Sequence, residues 1–317
     1  MESVGIASAK LLLFGEHAAV HGYTALGTSL PETLVARVSG GASAWRFDGV
    51  PPEDRDAVAG VVRAIEESWT GAERPRPGAV TVESRIPRGT GFGSSAALCG
   101  ALARALLSRA PGAVGADDAW RVAHEAERLF HGTPSGIDTG LALSPGLSVF
   151  RPRPGSLPER LGLPRRGLWL VIGAVPRDAR CGELVAGVGR RMTGGDLPTA
   201  AALGALGDIA SRAARLLDPD RDGDGNGDRA ECLGALATEA MTHLRALGLG
   251  NPTQDALLEA GARCGALGGK ASGAGGGGAF YLVARDRREA ERVARGVEEA
   301  ARDGKTSVPG GVRIVEI

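Results

Sequence analysis

Cysteine, aromatic residues and lysine are scarce in this chain of 317 residues. The four cysteines stand at wide, irregular spacing, which excludes a disulfide framework or a zinc-binding pattern and predicts reduced, mainly buried thiols. No stretch reaches the ~18 apolar residues of a membrane span. The first residues have neither the basic segment nor the long apolar core of a signal peptide. We therefore expect a cytoplasmic protein without a membrane partner.

Net charge is also lacking, because 37 basic residues balance 37 acidic ones. This balance gives no reason to expect nucleic acid or an anionic membrane as a partner. Among the basic residues only Lys10, Lys270 and Lys305 are lysines. A lysine retained in so arginine-rich a chain indicates a position that needs a compact ammonium rather than a planar guanidinium.

Glycine, in contrast, is abundant, with 50 of the 317 residues. This is roughly twice the usual share of ~7%. No G-X-Y period accompanies it, which excludes a collagen-like chain. An apolar content of 43% excludes a disordered chain.

Apolar periodicity predicts strands and helices in both halves of the chain. Strands are expected at 3–14, 22–38, 79–87, 167–174, 279–284 and 312–317, and helices at 54–69, from Ser94 or Ser95 onward, and at 116–130, 183–192, 198–217, 229–247, 253–265 and 286–303. Residues 151–166 contain four prolines, so we predict no strand or long helix there and place the domain junction in that segment. The fold class is then α+β, with domains at 1–155 and 156–317 and a cleft between them.

The segment RGTGFGSS at 88–95 places three glycines immediately before a predicted helix. Glycine permits close backbone approach and positive φ, and the free amides of a helix N-terminus bind phosphate. The segment is neither a Walker loop nor a Rossmann fingerprint. Two interpretations stay open, a phosphate-binding loop and an ordinary loop of a glycine-rich chain.

Two further segments carry ionisable side chains. ASAKLLLFGEHAAVHG at 7–22 puts Lys10, Glu16 and His17 near one strand end, either as a functional group or as a surface lysine and a satisfied Glu–His pair. AERLFHGTPSGIDTGLAL at 126–143 contains Glu127 and Asp138. For phosphoryl transfer one carboxylate would hold Mg²⁺ and the other would orient the attacking hydroxyl. Asp138 as a cap of the next helix is the alternative.

The segment GGKASGAGGGGAFYLV at 268–283 ends in an apolar strand, which argues against a flexible linker. Consecutive glycines are expected where backbone packs closely around a ligand or another loop.

Taken in order, these four segments resemble the GHMP small-molecule kinases, and the resemblance runs from about residue 5 to 285. Within that superfamily GEHAAVHG and HGTPSGID are similar to the mevalonate kinase family. The resemblance implies a two-domain fold with a ribosomal-protein-S5-like N-terminal domain, a ferredoxin-like C-terminal domain and the active site in the cleft. It also implies ATP-dependent phosphorylation of the C5 hydroxyl of mevalonate, a small-molecule substrate, and it allows a homodimer.

The resemblance also assigns site residues, with ATP and Mg²⁺ as cofactors. Asp138 would be the catalytic base beside Lys10, Ser95 and Glu127 would hold Mg²⁺, and Glu16, His17 and Lys10 would lie at the substrate. The residues that would contact ATP are Gly89, Gly91, Phe92, Gly93, Ser94, Ser95 and Ala96, with Gly275 and Gly276 in the segment that would brace this loop.

Two positions depart from the family pattern. Leu98 stands where many members have tyrosine, and Ala179 or Cys181 stands where a Ser or Thr is usual. The alternatives are therefore another GHMP phosphotransferase, such as a phosphomevalonate kinase or a mevalonate diphosphate decarboxylase, and a non-catalytic ATP-binding sensor.

An acidic turn at Asp220–Glu231 fits the spacing of an EF-hand calcium loop between two predicted helices. Gly227 stands where such loops usually have an apolar residue. A solvated turn between antiparallel helices is the alternative.

Overall fold

The fold is described from a computed structural model, which covers residues 2–69, 74–110, 115–177, 181–218 and 226–317. The chain forms two compact units, each built from several chain segments. Unit 1 is Met1–Lys10, Ser29–Ile86 and Gly93–Pro145, and unit 2 is Leu11–Thr28, Pro87–Phe92 and Gly146–Ile317.

Unit 1 contains antiparallel and parallel strand pairs. The strands that contribute to it are β1 (Ser3–Phe14), β2 (Ala25–Ser39), β3 (Arg46–Gly49) and β4 (Ala79–Ser84). Strand β1 pairs with β2, residues 34–39 of β2 pair antiparallel with β4, and β4 pairs in parallel with β3.

The helices of unit 1 bury apolar faces. They are α1 (Arg55–Glu67), α2 (Ser94–Leu107), α3 (Ala116–His131) and α4 (Ile137–Ala142), with a 3-10 turn at Pro52–Asp54. Helix α1 buries Val58, Val61, Val62 and Ile65, the i, i+3, i+4, i+7 stripe of an amphipathic helix. Helix α2 is rich in alanine and leucine and is buried along most of its length, and α3 packs against it.

Unit 2 contains two strand groups. The strands are β5 (Leu147–Arg151), β6 (Glu159–Gly162), β7 (Trp169–Val175), β8 (Gly268–Ala271), β9 (Gly278–Ala284) and β10 (Arg313–Glu316). Residues 25–28 of β2 pair with β5, and β5 pairs with β6. The other four strands form an antiparallel sheet in the order β10-β7-β9-β8.

Side-chain caps define several helix starts in unit 2. The helices are α5 (Cys181–Thr193), α6 (Leu197–Leu216), α7 (Asn226–Ala246), α8 (Pro252–Arg263) and α9 (Arg287–Asp303), with a 3-10 turn at Ala18–His21. Asp196, Asn251 and Asp286 each accept a hydrogen bond from the amide three residues on, at α6, α8 and α9. Such caps satisfy amides that have no partner inside the helix.

The prediction that residues 151–166 hold no strand is wrong, because they include β6. This strand is short and lies between Pro158 and Pro164, and its residues pair antiparallel with β5. Proline ends a strand without preventing a few intervening residues from pairing at a sheet edge. The short strands β3 and β8 were also not predicted, since four residues give little periodicity.

No helix in the described part of the chain is long and apolar enough to cross a membrane.

Candidate active site

An ion pair between Lys10 and Asp138 lies at the centre of the candidate site in unit 1. Lys10 comes from β1 and its Nζ lies 3.1 Å from Oδ1 of Asp138. The lysine side chain is 5% exposed, whereas the aspartate side chain is 32% exposed. Burying an ammonium is costly unless a charge partner compensates it. Asp138 supplies that charge and still leaves part of its carboxylate open to a ligand.

Helix α4 sets the position of Asp138. The cap of this helix is Gly136, whose φ of 79° is left-handed and suits glycine. Asp138 is the second residue of the helix, so the interpretation of Asp138 as its cap is wrong. Its side chain reaches Lys10 instead.

Glu127 is a buried carboxylate close to this pair. It belongs to α3 and is 1% exposed, and neither of its oxygens has a hydrogen-bond partner among the described residues. The neighbouring Thr139 hydroxyl donates to the carbonyl of Gly136 (3.2 Å). Burial raises the pKa of Glu127 to about 8, and the charge of Asp138 adds to this shift while Lys10 opposes it. Two unpartnered buried carboxylate oxygens are suited to a cation.

His131 joins the two carboxylates. Glu127, His131 and Asp138 each offer one ligand atom, and these three atoms lie within 4.8 Å of one another. The ring Nε2 of His131 also lies 3.4 Å from the hydroxyl oxygen of Ser95. His131 was not predicted as a site residue, although it lies one turn after Glu127 on the same helix, a spacing that places both on one face.

The residues predicted to contact ATP are divided between the units. Gly89, Gly91, Phe92, Gly275 and Gly276 belong to unit 2, and Gly93 to Ala96 belong to unit 1. Ser94 and Ser95 open helix α2, and Ala96 is buried behind them. Gly93 has a φ of 80°, and a Cβ atom there would lie 2.6 Å from Cγ of Lys10. Only glycine fits here, because the loop backbone runs directly against the lysine side chain.

In unit 2 the loop lies against Arg177. A Cβ at Gly91 would be 2.7 Å from Nη2 of this arginine and 3.1 Å from the amide of Ala279, and a Cβ at Gly278 would be 2.5 Å from its Nε. The guanidinium therefore lies beside both glycine segments. Arg177 was not predicted as a site residue, because its contacts are with residues far away in sequence and leave no local pattern.

Phe92 is buried, and the guanidinium of Arg313 lies 4.4 Å from the centre of its ring. This distance is typical of a cation–π contact.

Glu16 pairs with Lys270. Both side chains are almost fully buried, and the ammonium also donates to the carbonyl of Ala271 (2.6 Å). Burial raises the pKa of Glu16 and lowers the pKa of Lys270, and the attraction between the two charges opposes both shifts. From the sequence alone Lys270 has no assigned chemical role.

His17 follows in a left-handed backbone conformation with a φ of 55°. Its Nε2 lies 3.1 Å from the carbonyl oxygen of Ala274, so this nitrogen carries the proton and donates. Burial lowers the pKa of His17. Its Nδ1 is buried and makes no hydrogen bond to any described residue.

The consecutive glycines after β8 pack tightly. A Cβ at Gly275 would be 2.7 Å from Cβ of Leu249, and the amide of Gly276 donates to the carbonyl of Leu249 (2.9 Å). Both glycines have positive φ. The expectation of close backbone packing in this segment agrees with these contacts.

Half of the EF-hand-like turn, residues 220–225, lies outside the described residues. Glu231, its last position, belongs to α7 and pairs with Arg285 at 2.6 Å on the exposed surface. Asp178, Ala179 and Arg180, beside one of the two departures from the family pattern, also lie outside the described residues.

Two family models match separate parts of the chain, and related proteins match almost all of it. Residues 56–145 match the model for the GHMP kinases N terminal domain, and residues 228–303 match the model for GHMP kinases C terminal. The mevalonate kinase of Pyrococcus abyssi is 28% identical over 98% of this chain and 97% of its own length. The mevalonate kinase of Aeropyrum pernix is 28% identical over 95% of this chain and 94% of its own length.

Among solved structures, L. major mevalonate kinase in complex with R-mevalonate superposes with a TM-score of 0.78. The superposition covers 99% of this chain and 95% of the L. major chain, at 21% sequence identity. At that identity the likeness shows the fold.

Proposed function

The chain belongs to the GHMP kinases and is an ATP-dependent small-molecule kinase, and we propose that it phosphorylates the C5 hydroxyl of mevalonate to give 5-phosphomevalonate. The names of relatives that match nearly the full chain support this substrate, as do the segments GEHAAVHG and HGTPSGID. We place the reaction early in the route to isoprenoids.

The observation that carries the proposal is the Lys10–Asp138 pair beside the buried Glu127. In phosphoryl transfer the transition state is loose, so the enzyme acts mainly by positioning and by electrostatic stabilisation. Asp138 orients the acceptor hydroxyl and takes up its proton as the O–P bond forms and the bond to ADP breaks. Lys10 stabilises charge on the oxygens of the transferring group.

The phosphates of ATP are bound by backbone amides. Residues Gly89–Ala96 supply a glycine loop and the first turn of α2, whose free amides and helix dipole favour an anion. Gly275 and Gly276 lie in the segment that braces this loop in the proposed enzyme.

The residues present fit a hard divalent cation. Glu127 and the Ser95 hydroxyl would hold Mg²⁺, because the buried Glu127 oxygens lack a hydrogen-bond partner among the described residues and a cation would offset their desolvation. When bound, such an ion neutralises charge on the phosphate oxygens. Holding the Glu127 carboxylate in place for that ion is the contribution of helix α3.

Glu16 and His17 are the proposed substrate-side residues. Glu16 is held by Lys270 and His17 by the carbonyl of Ala274, so both have fixed directions. We retain domains 1–155 and 156–317 as the GHMP division of this proposal. We expect a cytoplasmic enzyme with no nucleic-acid or membrane partner, and the family resemblance allows a homodimer.

One assay tests the substrate. Purified protein with ATP and Mg²⁺ is offered mevalonate, phosphomevalonate, homoserine and galactose, and ADP release is measured with phosphorus NMR of the product. We expect turnover with mevalonate and a phosphomonoester signal at C5. Turnover with another acceptor and none with mevalonate would reassign the substrate. If no acceptor in the panel causes ADP release, the proposal is refuted.

A further inference from the structure

Trp120 holds the backbone from which Asp138 projects. Trp120 belongs to α3 and is 5% exposed. Its indole Nε1–H donates a buried hydrogen bond of 2.8 Å to the carbonyl of Gly136, the cap residue of α4. Asp138 follows two residues later, within the first turn of that helix.

The carbonyl of Gly136 is a junction of several donors. It also accepts the amide of Gly140 at 2.9 Å, which closes the first turn of α4, and the hydroxyl of Thr139 at 3.2 Å. Those two donors belong to α4 itself and move with it. The Trp120 indole is a donor from another helix, so it ties the start of α4 to α3.

Helix α3 carries Glu127 as well as Trp120, so one helix contributes both the hydrogen bond to Gly136 and the carboxylate close to Asp138. Trp120 and Glu127 are about two turns apart, which places them on the same face of α3 roughly 10 Å apart along its axis. One end of that face holds Gly136, and the other brings Glu127 within 4.8 Å of Asp138. The separation of the two carboxylates therefore depends on how α4 is seated against α3.

We propose that Trp120 is a positioning residue, whose indole N–H fixes the start of α4 and so sets the place of Asp138 against Lys10 and Glu127. This inference rests on the proposed kinase function for its kinetic consequence. Its structural consequence, an ordered first turn of α4, does not depend on the substrate.

The sharpest test removes the N–H and keeps the ring. Replacing Trp120 by β-(3-benzothienyl)alanine puts a sulfur in place of the indole nitrogen at nearly the same shape. The matched control carries the same analogue at Trp169, a partly exposed residue of β7 in unit 2 whose ring lies 6.0 Å from the Arg287 guanidinium. Hydrogen exchange of peptides covering α4 is measured first, and then kcat and KM.

We expect amide exchange in 137–142 to rise at least fivefold, with peptides of α1 and α7 unchanged. We also expect kcat to fall at least tenfold while both KM values stay within twofold, since positioning of Asp138 acts on the chemical step. The control at Trp169 should change neither quantity. Exchange and kcat within twofold of the unmodified protein would overturn the proposal.

Two other results would also overturn it. Exchange that rises equally in α1, α3 and α4 would show that the indole N–H supports unit 1 as a whole rather than the start of α4. If the analogue does not fold, Trp120→Phe is measured in the same way, and a failure of both to fold would make the indole a requirement of the fold rather than of α4. If the unmodified protein phosphorylates no acceptor, the proposed function fails and the exchange measurement still decides the role of Trp120.

Discussion

Lys270 and Glu16 form an ion pair from which water is excluded, although they are more than 250 residues apart in sequence. The ammonium also lies 5.7 Å from the ring centre of Phe14 and 5.3 Å from that of Tyr281, so two aromatic faces line it. Two of the three lysines in the chain are thus buried against a carboxylate, Lys10 being the other. The pair joins the turn after β1 to the strand that precedes the consecutive glycines, both within unit 2.

Breaking that pair should destabilise the protein strongly. Lys270→Met removes one charge and leaves the Glu16 carboxylate buried without its partner, which typically costs about 3–5 kcal/mol. Urea unfolding should show this loss as a lower midpoint with an unchanged slope. The double variant Lys270→Met with Glu16→Gln is the control, because it removes both charges and should recover part of the loss. Equal stability of the single and double variants would contradict the account.

Removing either member of the Lys10–Asp138 pair should impair the chemical step. Asp138→Asn cannot accept the proton of the acceptor hydroxyl, and Lys10→Met removes a charge beside the reacting oxygens. We expect kcat to fall a hundredfold or more for each, which corresponds to roughly 3 kcal/mol. The measurement is steady-state ADP release with saturating mevalonate and ATP. Near-normal turnover in either variant would remove that residue from the proposed mechanism.

Much of the fold followed from local pattern. The apolar stripe of α1 is a feature of neighbouring residues, so its periodicity predicts a helix over 54–69, where the structure has α1. The four-residue strand β6 was missed because its stability comes from pairing with β5. Propensity over four residues between two prolines carries no comparable signal.

The residues of the candidate site likewise divide into those with a local sequence signal and those placed by tertiary contacts. Lys10, Glu127 and Asp138 lie in recognisable segments, and the structure brings them together in unit 1. The partner of Glu16 and the acceptor of the Trp120 indole were not predicted, because each contact joins separate elements. Such contacts depend on tertiary packing, for which one sequence gives no periodic signal.

Removing the buried carboxylate at Glu127 should weaken cation binding. Glu127→Gln keeps the size of the side chain but replaces a carboxyl group, which can ionise on binding the cation, by a neutral amide, so the hard cation loses its charged ligand. We expect Mn²⁺ affinity, measured by electron paramagnetic resonance without nucleotide, to fall at least tenfold. The control is Glu125→Gln on the same helix, whose carboxylate pairs with Arg128 at the surface. Equal affinities of both variants would contradict a role for Glu127 in holding the ion.

Burial of His17 should make stability depend on pH. Burial depresses the pKa of His17 below its usual ~6.5, and the nearby charges of His21 and Arg191 act in the same direction. Below pH ~6.5 the unfolded chain binds a proton that the folded protein excludes, so stability present above that pH is lost as pH falls. The slope reaches at most about 1.4 kcal/mol per pH unit.

The measurement is the free energy of unfolding from urea titrations between pH 5 and 7, compared with His17→Asn. As pH falls, the free energy of unfolding of the wild type should decrease relative to that of His17→Asn. At position 17 the histidine titrates in this range and the asparagine does not. Parallel curves would show that His17 does not carry this dependence.

A single methyl group at Gly93 should impair the site more than it impairs the fold. In Gly93→Ala the new Cβ would stand 2.6 Å from Cγ of Lys10, so the lysine must move away from Asp138. The left-handed backbone adds a strain of about 1–2 kcal/mol.

Gly40→Ala is the matched control, since Gly40 also has a positive φ of 68° but a Cβ there meets nothing within 4 Å. Both variants should lose stability in thermal unfolding, and Gly93→Ala should lose more because its Cβ also collides with Lys10. Only Gly93→Ala should lose kcat, by tenfold or more, because displacement of Lys10 uncouples it from the transferring group. A Gly93→Ala enzyme with the kinetics of Gly40→Ala would show that the close approach of loop and lysine has no part in the reaction.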